Sequence, residues 1–453
     1  MSRKYHLVGI GGIGMSGIAR ILLERGFKVS GSDLKETEPI RRLRELGANV
    51  YIGHDAGNLK DADILVYSSA VKKDNPELMA AEHKSVRIIK RAQILAELMQ
   101  DKLAITVAGS HGKTTTSSLV SHMLIKAGLK PTIAIGGILK NIDSNAYFGG
   151  GDYFVAEADE SDGSFIFYNP QYSIITNIDR EHLDYYLDFE SELKAFKEYM
   201  LKTKEEGSLF ACIDDQNIMD LIRDFKIKKI LFGFSSKAEF YPRNILYKDL
   251  SSEFDCFRSS NFLGHFHLPL GGRHNIVNSL AVIALGLEMG IRLDLIRDAF
   301  STYKGAGRRL EVKYKDADYI IIDDYAHHPT EIRATLEAVR NLKAKRMVAV
   351  FQPHRYTRTK LLLDEFAGCF DSADHLIITD IYPAGEPMIE GVDAMLLVDK
   401  IKRNAPAKPV SYVPKDDISR TVMKEIAPGD ALIMLGAGDI TRVCDELVEK
   451  IKR

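Results

Sequence analysis

Two glycine turns, each set between an apolar run of strand length and a stretch of helical period, constrain this chain more than any other feature. The first places Gly9, Gly11 and Gly14 in a G-x-G-x-x-G pattern between KYHLVGI and SGIARILLERG. The second is GSHGKTTT, Gly109 to Thr116, between LAITVAG and TSSLVSHMLIKAG. A strand that enters a helix through a glycine turn opens a βαβ unit, and the unpaired N–H groups at that helix start can receive phosphate. The alternation continues through KVSGSD, ADILVYSSAV, YFVAEAD, YSIITNID, SLFACIDD, DYIIIDD, RMVAVFQ, HLIITD and ALIMLGAG, with helical stretches between them. Stacked βαβ units around mainly parallel sheets, an α/β fold, are therefore expected.

At ~150 residues per domain, the 453 residues suit about three units. The first spans 1–101. The second, 102–304, includes an alternating, antiparallel-looking stretch from about Glu239 to Leu270 and a helix starting near Arg273. In YKGAGRR, Gly305 and Gly307 stand beside Arg308 and Arg309, a hinge composition that opens the third unit, 305–453. With 61 Lys and Arg against 63 Asp and Glu, the net charge of -2 lacks the basic footprint of a nucleic-acid or anionic-membrane binder, so small-molecule partners are expected. No run approaches ~18 apolar residues. Cys212, Cys256, Cys369 and Cys444 are widely spaced, as in reduced cytoplasmic proteins. The sequence carries no signal of oligomeric state.

The first turn, with Asp33 about 20 residues on, fits the diphosphate of a dinucleotide such as NAD, that of another nucleotide conjugate, or a tight turn without ligand. The second departs from the Walker spacing, because Val107 stands where its first glycine belongs. The chemistry survives: Gly109 and Gly112 free backbone N–H groups, Lys113 brings charge to the β/γ oxygens and Thr114 a hydroxyl to Mg²⁺, so ATP is the expected ligand. EADESD (Glu157 to Asp162) and TNIDREHLD (Thr176 to Asp184) end two later strands, and strand ends gather at one sheet edge. They suit metal or phosphate work, or else helix caps and solvated turns. Asn275 and Asn278, at i, i+3, fit an adenine edge or a helix cap. DDYAHHP carries Asp323, Asp324, His327 and His328, and FQPHRYTRT carries His354, Arg355 and Arg358, a carboxylate clamp or a solvated basic turn.

Taken in order, GSHGKTTT, EADESD, TNIDREHLD, GGRHNIVNSLAV, GAGRR and DDYAHHPTE resemble the ATP-dependent Mur ligases of peptidoglycan synthesis across nearly the whole chain. The resemblance implies a Rossmann-like N-terminal domain for a UDP-sugar, a central P-loop-type ATPase domain with a mainly parallel sheet, and a Rossmann-like C-terminal domain for an amino acid. HLVGIGGIGMSGIA and FQPHRYTRT are most similar to the branch that adds L-alanine to UDP-N-acetylmuramate. A related branch that recycles murein peptides, an NAD-dependent oxidoreductase and a non-catalytic UDP-sugar sensor are the alternatives.

The resemblance assigns Gly109, Ser110, His111, Gly112, Lys113, Thr114 and Thr115 to ATP phosphates, Asn275 and Asn278 to adenine, and Arg308 and Asp324 to closure on the nucleotide. It makes Thr114 and Glu157 ligands of one Mg²⁺ (or Mn²⁺), and His182 with Glu157 ligands of a second. Gly11, Gly12, Gly14, Asp33, Ser68 and Ser69 would hold the UDP-sugar; Tyr325, His327, Arg355 and Arg358 would line the amino-acid pocket. Ser110 replaces the family's usual threonine and keeps its hydroxyl. Some relatives use a carbamylated lysine at the second metal; Lys194 and Lys197 lie nearby, but this branch is not expected to need it.

Overall fold

The computed structural model describes residues 3–68, 70–182 and 185–452. Three sheets, each flanked by helices, follow one another along the chain in the expected α/β pattern. The first is wholly parallel, in the order Asn49–Ile52, Lys28–Asp33, Lys4–Val8, Ile64–Tyr67, Arg87–Lys90. Strand order reverses between Lys4–Val8 and Ile64–Tyr67, so the glycine turn after one and Ser68 after the other open at the crevice where doubly wound sheets take ligands. The helix Ile13–Glu24 buries Met15, Ile18, Ala19 and Leu22, one apolar stripe at i, i+3, i+4 and i+7.

In the ten-stranded second sheet, Leu103–Ala108 lies between Tyr172–Ile175 and Tyr153–Glu157, parallel to both. The turn after Leu103–Ala108 thus emerges between the ends of those two strands. Thr132–Leu139 and Ser144–Phe148 form one edge. The other carries the meander Phe240–Lys248, Ser251–Arg258 and Asn261–Leu268, whose two-residue turns hold Asp249 and Ser259 at φ 53.

The third sheet runs Glu311–Lys315, Tyr319–Asp324, Asp430–Leu435, Arg346–Phe351, His375–Ile378, Val410–Tyr412, with only the first strand antiparallel. Its strands are buried on both faces: Met347, Ala349 and Phe351 enter one core, Val348 and Val350 the other. Continuous apolar runs such as RMVAVF are the result. By contact density the chain divides into two compact units, 1–243 with 256–264 and 277–304, and 244–255 with 265–276 and 305–453. All four cysteines are buried and unbridged, and burial pushes the Cys212, Cys256 and Cys444 thiols up to about 12. Among the described residues no helix is long and apolar enough to cross a membrane.

Candidate active site

The turn Gly109–Gly112 depends on two left-handed glycines. Gly109 has φ 128, and a Cβ there would collide with the Thr176 hydroxyl and lie 2.8 Å from the Asn177 carbonyl. Gly112, at φ 84, caps the helix Lys113–Lys126, and its Cβ would stand 2.8 Å from Asn278 Oδ1. The next strand end grips the turn: Asn177 O accepts from Ser110 N (3.0 Å), Asn177 Oδ1 from His111 N (2.9 Å), and Ser110 Oγ from Asp179 N (2.8 Å). His111 Nε2 lies 3.0 Å from Asp179 Oδ2. The amide nitrogen of Asn278, buried beside Gly112, has no hydrogen-bond partner among the described residues, a donor poised for a ligand. Asn275 Nδ2 instead donates to Gly271 O at 2.8 Å, so the two amides of this helix serve different ends.

Lys113 Nζ donates to Glu160 Oε1 at 2.7 Å and to the carbonyls of Gly109 (2.5 Å) and Ser110 (3.0 Å). Burial opposes its charge, but Glu160, Asp159 and Glu181 outweigh burial and hold the ammonium above its ordinary range. Glu157 accepts from Gly136 N (2.7 Å), Ser117 Oγ (3.0 Å) and Thr114 Oγ1 (3.2 Å). The Thr114 hydroxyl and Glu157 carboxylate form the hard oxygen set that Mg²⁺ takes, so these residues fit the ion.

The expected pairing of His182 with Glu157 is not what the side chains make. His182 Nε2 lies 3.4 Å from Glu160 Oε1 and 3.8 Å from Glu181 Oε2, because Glu157 turns toward the first turn of the helix while Glu160 reaches across. Ligand atoms of Glu160, Glu181 and His182 lie within 4.8 Å of one another, and Glu160 Oε2 is buried without a partner among the described residues. That second donor set also fits a divalent cation. Lys194 and Lys197 are exposed on the helix Phe189–Met200, Lys194 pairing with Glu190 at 3.2 Å. The same helix turns Glu192 inward, where burial, with Glu160 and Glu181 nearby, pushes its carboxyl up to about 8.

At the first glycine turn, a cavity of about 320 Å³ is lined by Gly9, Gly12, Gly14 and Ser68 on one side and by Glu157 and Asp159 on the other. Gly11 faces away: its Cβ would lie 2.9 Å from Asp33 Oδ2 and from Ile40 Cδ1, and its N–H donates to Asp33 Oδ2 at 2.9 Å. Asp33, which also accepts from Leu34 N, thus braces the turn instead of waiting for the ribose of NAD. Ser69 lies outside the described residues, as do the last two residues of TNIDREHLD. Arg91 and Asn145, which no sequence pattern singled out, also line this cavity, and Asn145 Nδ2 donates to Ile13 O at 2.6 Å.

In the C-terminal unit, Tyr325, His327, Arg355 and Arg358 do converge, through two residues the resemblance left out of the pocket. His354 packs edge-on to His327 (centroids 5.5 Å) and stacks on Tyr382 (5.6 Å), and Tyr325 packs edge-on to His327 (5.3 Å). Arg358 Nη1 donates to His354 Nδ1 at 3.3 Å, which places the imidazole proton on Nε2. Burial, then His327 and the arginines, drives His354 down to about 2, so the ring is neutral. Arg355 holds φ 70 through its N–H to Tyr382 O (2.8 Å).

Arg308 and Asp324 both find partners within their own unit. Arg308 binds the carbonyls of Gly436, Ala437 and Gly438 and lies 3.3 Å from Asp323 Oδ2. Asp324 accepts from the N–H groups of Leu310 (2.6 Å) and Ala326 (2.8 Å), and burial pushes it up to about 6. Both fasten the loops that start this unit.

Comparison with known proteins matches this architecture along its length. Family models for the Mur ligase catalytic, middle and glutamate ligase domains match residues 4–103, 107–286 and 308–438. The UDP-N-acetylmuramate–L-alanine ligase of Syntrophus aciditrophicus is 46% identical over 99% of this chain and 94% of its own. The solved UDP-N-acetylmuramate-alanine ligase of Thermotoga maritima superposes with a TM-score of 0.86 at 29% identity, over 99% of both chains. The murein peptide ligase of Psychrobacter arcticus, at 22% identity and a TM-score of 0.73 over 99% of this chain and 98% of its own, shares the fold. From the phosphate turn, the strand-end acids and these full-length matches, the chain belongs to the Mur ligase family.

Proposed function

We propose that this chain is an ATP-dependent, ADP-forming ligase that joins L-alanine to the lactyl carboxylate of UDP-N-acetylmuramate, in the cytoplasm, during peptidoglycan precursor synthesis. In this reading residues 1–101 take the UDP-sugar, 102–304 take ATP and 305–453 take the amino acid. One observation carries it: the cavity at the first glycine turn extends to Glu157, the carboxylate that also touches Thr114 of the ATP turn. A nucleotide sugar seated by its diphosphate can therefore direct its acid end toward the phosphate-transfer site.

A carboxylate and an amine do not condense unaided, because oxide is too poor a leaving group. Transfer of the ATP γ-phosphoryl group to the lactyl carboxylate gives an acyl phosphate and ADP, and attack by the alanine amine then expels phosphate. Lys113 leaves Glu160 to meet the transferring oxygens, and the backbone N–H groups that open the helix Lys113–Lys126, from Gly112 to Thr114, cradle the chain of phosphates. Mg²⁺, when bound, supplies charge neutralisation at those oxygens. Thr114 and Glu157 would hold one ion, and Glu160, Glu181 and His182 offer a place for a second. Arg355 and Arg358 grip the alanine carboxylate, so the amine approaches in a fixed orientation.

Incubation with ATP, UDP-N-acetylmuramate and L-alanine should yield ADP, phosphate and a UDP-sugar heavier by one alanyl residue, seen by mass spectrometry. Formation of ADP with the UDP-sugar mass unchanged would refute this reading.

A further inference from the structure

The cavity at the first glycine turn presents an electrostatic problem. Its proposed ligand carries a diphosphate and a carboxylate, yet two of the lining side chains, Glu157 and Asp159, are acidic. Among the described residues that line it, Arg91 alone is cationic. It is the first residue of the helix Arg91–Met99, and its side chain lies across the start of the helix Ile13–Glu24: a Cβ added to Gly14 would stand 3.3 Å from both Arg91 Cδ and Nη1. Gly14 is therefore bare where a guanidinium must pass. From the far side, Asp159 Oδ2 accepts from Arg91 Nη2 at 3.3 Å, fixing one edge of the fork.

That placement separates the two anionic groups of the ligand. The N–H groups of Ile13, Gly14 and Met15, which open the helix Ile13–Glu24, can seat the diphosphate, whereas those of Gly9, Ile10, Gly11 and Gly12 are already bonded to Ser32 O, Asp33 Oδ2 and Gly9 O; Arg91 lies against Gly14. The carboxylate has to reach Lys113 and Thr114, beyond Glu157. Building on the proposed UDP-sugar substrate, we propose that Arg91 clamps the diphosphate beside the start of the helix Ile13–Glu24, with Asp159 as the positioning residue that orients the guanidinium. Arginine suits this task because its fork can serve Asp159 and a phosphate oxygen together, which an ammonium on a flexible stem cannot do with the same geometry.

The test is calorimetric titration of the full chain, wild type and Arg91→Gln, Arg91→Lys and Asp159→Asn, with UDP-N-acetylmuramate, UDP-N-acetylglucosamine and a non-hydrolysable ATP analogue. The two sugars share the diphosphate and only the first has the lactyl acid. Arg91→Gln should weaken both by the same factor, at least about tenfold (~1.4 kcal/mol), and leave the ATP analogue within about twofold. Arg91→Lys and Asp159→Asn should fall between wild type and Arg91→Gln. Loss confined to UDP-N-acetylmuramate would overturn the proposal by giving Arg91 to the carboxylate. Equal loss for the ATP analogue, or a thermal midpoint lowered in both Arg91 variants with sugar affinity unchanged, would overturn it in favour of a structural ion pair. A wild type that binds neither sugar overturns the functional reading itself; one that binds both while Arg91→Gln binds them as well overturns the clamp alone.

Discussion

Lys113 Nζ rests 2.7 Å from Glu160 Oε1, so the phosphate lysine is folded back onto the acidic cluster that also holds His182. The charge needed for phosphoryl transfer is thus stored beside its site. Lys113→Ala should remove ligation at a cost of several kcal/mol, comparable with the ~3 to 4 kcal/mol of a lost oxyanion donor. Affinity for UDP-N-acetylmuramate, measured by calorimetry, should stay near wild type, since Lys113 does not line the cavity at the first glycine turn. Near-normal turnover in the variant would remove Lys113 from the mechanism.

Gly112 offers a backbone test. At φ 84, with Asn278 Oδ1 only 2.8 Å from any added Cβ, Gly112→Ala meets strain and a clash together. Strain of ~1–3 kcal/mol is expected, read as a raised KM for ATP and a lowered thermal midpoint. An unchanged ATP KM would show that this turn does not shape the nucleotide site.

Replacing Arg355 or Arg358 by Lys keeps the charge and loses the planar fork. The KM for L-alanine should rise at least about tenfold, ~1.4 kcal/mol, while those for ATP and UDP-N-acetylmuramate move little. A rise in the ATP KM alone would assign these arginines to the nucleotide.

A pH dependence follows from Glu77, wholly buried in the N-terminal sheet domain. Burial raises its pKa, but the His6 ring 3.6 Å away and hydrogen bonds from Ser32 and Asn58 outweigh burial and bring the carboxyl down to about 2, against 4.5 when unpaired. A depressed folded pKa stabilises above the unfolded value, so this contribution, roughly 3 kcal/mol, is complete above about pH 5 and drains away as pH falls toward 2. Melts of wild type and Glu77→Gln between pH 7 and 3 should converge on acidification. Parallel curves would contradict the depressed carboxyl.

The strands were legible because their apolar runs are buried on both faces, as RMVAVF is, and the phosphate turn because Gly109 and Gly112 each occupy a backbone that only glycine takes readily. Glu311–Lys315 escaped notice, since an edge strand buries too little to leave an apolar run. Arg91 escaped for another reason: one arginine at a helix start carries no spacing signal, and only the fold lays it across Gly14. Whether His182 meets Glu157 or Glu160 turns on three residues of a loop, below what a motif specifies. The tying down of Asp33 and Asp324 by backbone N–H groups was equally hidden, because a carboxylate that holds a turn and one that holds a ligand read alike in sequence.

In the proposed reaction phosphate leaves ATP only to let one particular amine join a UDP-linked acid. Phosphate release should therefore be measured with ATP and UDP-N-acetylmuramate while L-alanine, glycine, L-serine or a murein tripeptide is added singly. Steady release is expected with L-alanine, slower release with glycine or L-serine, and none above background with the tripeptide. Release driven best by the tripeptide, or release with L-alanine that does not require the UDP-sugar, would contradict that reaction.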